Sequence, residues 1–447
     1  MNKGLSAFIA YLLNCMTKKK YKKDFREVLD GLLYAWEKLR RHPRKNTKGS
    51  DNETINTFSK DYTLNLLDLK RRLLEGKFSF APLRRVMVEK GREILVYRVE
   101  ERILAISILH AVFPRLEHLN SNHDFSRKGL YMVENEEEID EPEFEGTPLA
   151  VEKIQNYLKE GYIWVFEADI KKFFDNVPKQ KIFSLIKRHI TNKQVLELIR
   201  QIIYFDVEPS SGKDAKEYGP HKGVAQGSSL SPLLASIYLY DFDMYICSMS
   251  DVKLVRYVDD FIVLCKDENT AIKMYEIVKK KLKDMEVDIY ELGEVHKTSG
   301  LEKTKITLAR GYGAKSFDFL GLTFNNTDVD ISQKKKDEID KKIKEIIHSP
   351  GVNFLRKTKS IESRLNGYID HYKKAHYSRT VASLVKIINF AEKELRSHYI
   401  TIYTKITNRH PLRKLTPEIG DRLFRFMGID FAHLEREVKK PITTHRP

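Results

Sequence analysis

The sequence predicts an α+β fold, on three observations. Runs rich in β-branched and aromatic residues recur at 84–97, 162–170, 254–264 and 317–324. Between them, and over most of the first 80 residues and all that follows Ile331, apolar residues fall at helical spacing. The chain has 447 residues, 41% of them hydrophobic, enough for a large core spread over two or three subdomains. We expect a helical extension over 1–80, a mixed region over 81–330 and a helical region over 331–447.

Charge narrows the partners. The net charge of +16, with Lys and Arg in clusters, points to a polyanion, and nucleic acid is the first candidate. A basic surface kept for solubility explains the same charge without a partner. Cys15, Cys247 and Cys265 are far apart and lack metal spacing, which fits a reducing cytoplasm. No stretch reaches the length of a membrane span. The apolar run Leu5 to Met16 precedes the basic cluster Lys18, Lys19, Lys20, Lys22 and Lys23, the reverse of a signal peptide. A cytoplasmic protein away from membranes is therefore expected, and assembly with a second copy is left open.

In chain order, Phe25, Val28, Leu29, Leu32, Leu33 and Trp36 mark a helix over Asp24 to Leu39, with Pro43 beyond its end. A second helical stretch runs from about Asn52 to Glu75. Arg85 to Val88 and Ile94 to Tyr97 form a hairpin, with Gly91 allowing a tight turn. Lys90 and Arg92 project from its tip, as a triphosphate clamp or as surface decoration. Glu100 to Leu119 is helical, and the acid-rich stretch 134–145 with Pro142 reads as an exposed loop. Tyr162 to Ile170 is a buried strand ending in Asp169. Gly223 to Tyr238 runs from a loop into a helix, with Ser231 as its cap and Pro232 in its first turn. Gly227 and Ser228 are small enough for a backbone or a planar base to come close. A Lys-rich helix covers Ile272 to Met285, and Phe317 to Phe324 is an aromatic strand pair. Beyond it, Ile361, Leu365, Tyr368 and Tyr372 form one stripe and Leu384, Ile387, Ile388, Ala391 and Leu395 another, both of core type.

The stretch Arg256 to Leu264 carries the chemistry. It reads as two strands meeting in a tight turn at Asp259 and Asp260. Two carboxylates in an apolar run are costly unless compensated, and a hard divalent cation such as Mg²⁺ is the usual compensation. An ordinary Asp-Asp turn is the alternative. Asp169 would share such a cation if its strand lay beside this hairpin.

Taken together these segments resemble the reverse transcriptases, and among them the bacterial branch similar to group II intron proteins. The resemblance runs in order through Ala35 to Lys38 with Gly49 to Asp51, Arg84 to Arg102, Phe125 to Gly129, Asp169 to Asp175, Gln226 to Leu234, the Tyr257-Val258-Asp259-Asp260 box, Glu302-Lys303-Thr304 and Phe319-Leu320-Gly321. It implies a right-hand polymerase, with fingers and palm over 81–330 and a helical thumb in 331–447. It also implies an RNA-directed DNA polymerase that adds dNTPs to a 3′-hydroxyl with two Mg²⁺ ions, Mn²⁺ being an acceptable substitute. Asp169, Asp259 and Asp260 would be its catalytic metal ligands. Phe174 would exclude a 2′-hydroxyl. Lys90, Arg92, Gln226, Gly227 and Lys303 would contact the nucleotide, with Lys303 at the leaving group. The basic cluster Lys18 to Lys23 and Arg127 would hold RNA.

This sequence departs from the family pattern in places: Ala225 stands where a proline is usual, and Ser126 alters the turn at Phe125. No His/Cys-rich endonuclease segment follows the thumb-like helices. The resemblance then suggests a stand-alone antiphage enzyme with a structured non-coding RNA as template and DNA as product. A group II intron maturase without an endonuclease is the alternative.

Overall fold

The computed structural model describes residues 23–41, 45–88, 92–119, 121–126, 146–209, 218–296, 300, 302–326, 328–373, 378–407, 424–425 and 427–440. Lys18, Lys19, Lys20, Lys22, Lys90, Arg127 and the acidic stretch 134–145 lie outside them. The elements are α1 (Lys23–Asp30), α2 (Leu32–Arg40), α3 (Ile55–Phe58), α4 (Tyr62–Leu74), β1 (Arg84–Val88), β2 (Arg92–Val96), α5 (Val99–Leu116), α6 (Thr147–Lys159), β3 (Trp164–Asp169), α7 (Phe173–Asn176), α8 (Lys179–Lys187), α9 (Lys193–Ile203), α10 (Ser231–Cys247), β4 (Val252–Tyr257), β5 (Asp260–Cys265) and α11 (Glu268–Asp284). They continue as β6 (Lys305–Leu308), β7 (Phe317–Phe319), β8 (Leu322–Asn325), β9 (Asp328–Ile331), α12 (Gln333–His348), α13 (Phe354–Lys373), α14 (Ser378–Thr407) and α15 (Phe431–Lys439). This mixture of helices with antiparallel sheets is the expected α+β class. The chain divides into two compact units, one of 1–139, 167–262 and 273–305, the other of 140–166, 263–272 and 306–447.

In the first unit the expected helix over Asp24 to Leu39 is found as α1 and α2, joined through Gly31, whose N–H donates to Glu27 and whose carbonyl accepts from Ala35, both at 2.9 Å. A Cβ there would lie 2.7 Å from Ser107 Oγ, and that hydroxyl donates to the Val28 carbonyl at 2.5 Å. Only glycine lets α5 approach this closely. At the start of α5, the buried Glu101 accepts from the backbone N–H of Ala81 at 2.6 Å and of Arg98 at 2.9 Å. The β1–β2 hairpin pairs Arg84 with Val96 and Val88 with Arg92. Backbone bonds pin both of its legs. Leu83 donates to Asp206 at 2.8 Å and accepts from Glu208 at 2.9 Å, while Leu95 donates to Gln226 at 3.0 Å.

Ser231 does not cap α10, as had been expected. Leu230 holds the cap position, because the Ser231 hydroxyl is engaged elsewhere, donating to the Ala225 carbonyl at 2.6 Å. Pro232 does lie in the first turn, where its missing N–H costs nothing.

One four-stranded sheet has the order β4-β5-β3-β6. It sets β3, which ends in Asp169, beside the strand that begins at Asp260. That is the adjacency the shared-cation reading required.

In the second unit β7, β8 and β9 form an antiparallel sheet. Phe317 and Phe324 stack across it with ring centroids 4.8 Å apart. β9 was not anticipated. Its Val329 and Ile331 are buried and alternate with aspartates, but Asp is a poor strand former and four residues give a weak signal. The helix α14 docks on it through Thr380 Oγ1, which donates to the Val329 carbonyl at 2.9 Å, and Ser383 Oγ, which donates to Asp330 Oδ1 at 2.6 Å. The stripe Leu384 to Leu395 is buried as expected. On α13 Ile361, Leu365 and Tyr372 are buried, but Ile369 replaces the half-buried Tyr368 in the stripe.

Candidate active site

Asp169 is the last residue of β3, at the point where its alternation of buried and half-buried positions reaches the sheet's end. Its Oδ2 lies 2.7 Å from Lys303 Nζ. Two residues back, Glu167 Oε2 lies 3.2 Å from Lys305 Nζ. Residues two apart share one face of a strand, so these are two rungs of a ladder of opposite charges. Burial would lower the Lys303 pKa. The hydrogen bond and charge of Asp169, with Asp260 nearby, outweigh that and hold it above its ordinary value. Lys303 is thus a protonated cation facing the carboxylates of both strands.

The β4–β5 hairpin turns through Val258 and Asp259. Its geometry is unusual, because Val258 has φ of 60°, a left-handed conformation disfavoured for a β-branched side chain. Asp259 is half-buried in the turn, and Asp260, exposed, opens β5. The strands flanking the turn are fixed by the buried Leu254, Val255, Ile262 and Val263.

Phe174 sits in the short helix α7, directly after Lys172, whose φ is 45°. Phe173 is buried and Phe174 half-buried, with their rings edge to face at 5.4 Å. The Phe174 carbonyl accepts from Val224 N–H at 2.8 Å, and Gly223 N–H donates to Val177 at 2.9 Å. The segment carrying Phe174 is thereby joined to the loop carrying Gln226 and Gly227. That loop in turn touches β2. Gly227 has φ of 113°, and a Cβ on it would lie 2.8 Å from the Leu95 carbonyl. The close backbone approach expected of Gly227 is real, and its neighbour is a strand of the hairpin.

The structure therefore brings together Asp169, Lys303 and Asp260, and ties Phe174, Gln226 and Gly227 into one backbone network. Arg92 opens β2, at the outer end of the same hairpin. Lys23 is not among them: it is exposed and paired with Glu27 at 3.8 Å on a helix face. Carboxylate oxygens of the kind found on β3 and at the turn suit a hard cation such as Mg²⁺. As the side chains stand, Asp169 is satisfied by Lys303, and among the described residues no three of His, Cys, Asp or Glu close around one point. A buried cation beside the turn, Arg256, escaped the sequence reading. Its signal was a lone arginine inside an otherwise apolar run.

Comparison with known proteins bears on this arrangement. The family model "Reverse transcriptase (RNA-dependent DNA polymerase)" matches residues 92–324, just over half the chain. An uncharacterized 91 kDa protein in a cob intron of Schizosaccharomyces pombe is 27% identical over 52% of this chain and 27% of its own length. The group II intron-encoded protein LtrA of Lactococcus lactis is 32% identical over 20% of this chain and 14% of its own. A solved structure of telomerase from Candida albicans aligns with 15% identity and a TM-score of 0.39, over 82% of this chain and 67% of that one. The chain spans about a quarter of the length of the curated relatives it matches first. The family match encloses Asp169, Phe174, Gln226, Asp259, Asp260 and Lys303 within one continuous segment, and the chain belongs to the reverse transcriptase family.

Proposed function

We propose that this chain is an RNA-directed DNA polymerase that extends a 3′-hydroxyl with dNTPs on an RNA template. The observation that carries the reading is the placement of Asp169 at the end of β3, in contact with Lys303 and one strand away from the Asp259-Asp260 turn. Asp169 and Asp259 would hold Mg²⁺, two ions in all, with Mn²⁺ as a substitute and Asp260 supporting the site. When bound, the metal supplies Lewis-acid activation of the hydroxyl and charge stabilisation at the phosphate. The chain's own residues do the rest. Lys303, held protonated, neutralises or protonates the departing pyrophosphate. Phe174 occupies the space a 2′-hydroxyl would need. Gln226 and Gly227 line the nucleotide pocket, and Lys90 and Arg92 hold the triphosphate from the hairpin. In this reading 81–330 holds fingers and palm, 331–447 holds the thumb, and 1–80 with Lys18 to Lys23 and Arg127 grips RNA.

The test is Mg²⁺-dependent incorporation on a primed RNA. Replacing Asp259 and Asp260 together by Ala should abolish synthesis and leave the folded state and RNA binding intact. Full activity in that variant ends the assignment.

For the template we infer a structured RNA. The intron-encoded relatives favour a group II intron protein over the defence role with a partner non-coding RNA. Sequencing the RNA that copurifies with the chain separates the two. An intron RNA supports the first, and a short non-coding RNA from another locus supports the second.

A further inference from the structure

Arg256 immediately precedes the Tyr257-Val258-Asp259-Asp260 box and is completely buried. A guanidinium in such a place needs full compensation, and three segments of the chain supply it. From α10, Asp243 takes a two-pronged contact, with Nε to Oδ1 at 2.7 Å and Nη2 to Oδ2 at 2.5 Å. From the segment 121–126, Asp124 Oδ2 lies 3.0 Å from Nη1. Asp124 is itself held by the backbone N–H of Ser126 at 3.0 Å, by its hydroxyl at 2.6 Å, and by the Ser236 hydroxyl. The same segment clasps the arginine's backbone. Arg256 N–H donates to His123 at 2.8 Å, and Phe125 N–H donates to Arg256 at 2.9 Å.

The remaining acceptor is the turn itself. Arg256 Nη1 donates to the carbonyl of Val258 at 2.8 Å. Val258 is the residue with φ of 60°, a conformation that persists for a β-branched residue only when its surroundings over-determine it. A fork held rigid on one side by two buried carboxylates, and bonded on the other to the strained peptide preceding Asp259, is such a surrounding.

We propose that Arg256 is a positioning residue for the catalytic turn. Clamped by Asp243 and Asp124, it holds the Val258 carbonyl and so fixes the strained backbone that aims Asp259. This deepens the polymerase reading and rests on it. The two carboxylates are 119 positions apart in sequence, at 124 and 243, and both meet this guanidinium.

The test pairs a loss with a rescue. Arg256→Lys keeps the charge, but one ammonium cannot reproduce a planar fork that serves three acceptors. It should lower kcat about a hundredfold, as displaced catalytic groups do. It should also raise the Mg²⁺ concentration needed for half-maximal rate, with the KM for dNTP nearly unchanged. Adding Val258→Gly to that variant should return about tenfold of the loss, because glycine takes a positive φ without strain. Hydrogen exchange at the Asp259 and Asp260 amides should rise in Arg256→Lys and fall again in the double variant. If Arg256→Lys does not fold, the same rescue is read on Asp243→Asn. A wild-type kcat in the first variant, or a loss that Val258→Gly leaves untouched, would overturn the proposal and make Arg256 ordinary core. If the wild-type chain incorporates no nucleotide, the polymerase reading fails. The exchange data then decide the positioning role without it.

Discussion

Phe174 shows how one position can be read two ways. Its neighbour Phe173 is buried core, as an aromatic beside a strand end is by default. Phe174 itself is half-buried, with its backbone carbonyl tied to Val224 and its ring edge to face with Phe173, so the backbone that carries the ring is fixed while part of the ring stays uncovered. Phe174→Ala should therefore raise the ratio of GTP to dGTP incorporation relative to wild type, with the fold intact. An unchanged ratio would make Phe174 packing and nothing more. The acidic residues were legible because a carboxylate in an apolar run is conspicuous on its own. Arg256 was not, because what defines it is the company of Asp124 and Asp243, which are remote in sequence and converge only in three dimensions.

At the scale of elements, the start of α5 carries a pH dependence. Burial raises the Glu101 pKa from 4.5 to about 7, and the N–H donors of Ala81 and Arg98 only partly offset it. The folded state therefore binds this proton more tightly than the unfolded chain. By linkage its contribution to stability is fully present below pH 4.5 and is lost as pH rises through about 7. Glu101→Gln, which cannot ionise, should flatten that part of the stability profile. Thermal melts between those limits would show it, and an unaltered slope would remove Glu101 as its source. The elements themselves were mostly legible: both hairpins, the strand ending at Asp169 and the basic helices after Ile331 follow their hydrophobic periods. The misses have local causes. The Ser231 hydroxyl turns back to Ala225, and β9 is short and built on aspartates, which are poor strand formers.

For the whole molecule the dominant property is its charge of +16. Part of the excess lies in the N-terminal cluster, and helices such as α12 add Lys334, Lys335, Lys336, Lys341, Lys342 and Lys344 against the four acidic residues Asp337, Glu338, Asp340 and Glu345. Contacts of this kind reach phosphates and release counterions, so RNA affinity should fall with salt by a slope of about 0.7 to 0.9 per contact. Neutralising Lys18, Lys19, Lys20, Lys22 and Lys23 together should flatten that slope and weaken all RNAs alike, while sparing extension of a short primer-template. Binding titrations at several salt concentrations test this. A variant with wild-type slope and affinity would make the cluster a solvated helix face, which is how its one described member, Lys23, is arranged. Composition gave this expectation without any structure, since electrostatic attraction depends on total charge before it depends on geometry.

The pinned legs of the β1–β2 hairpin also have a mechanical meaning. Leu83 anchors one leg to residues 206 and 208, and Leu95 anchors the other to Gln226. The hairpin is thus joined to the rest of its unit at those two points, and Arg92 opens β2 farther out. From Leu95 the backbone bonds lead to the Gln226 loop, and from Val224 to the backbone of Phe174. A nucleotide held as proposed, by its phosphates at the hairpin and by its sugar at Phe174, would thereby touch two ends of one run of backbone bonds.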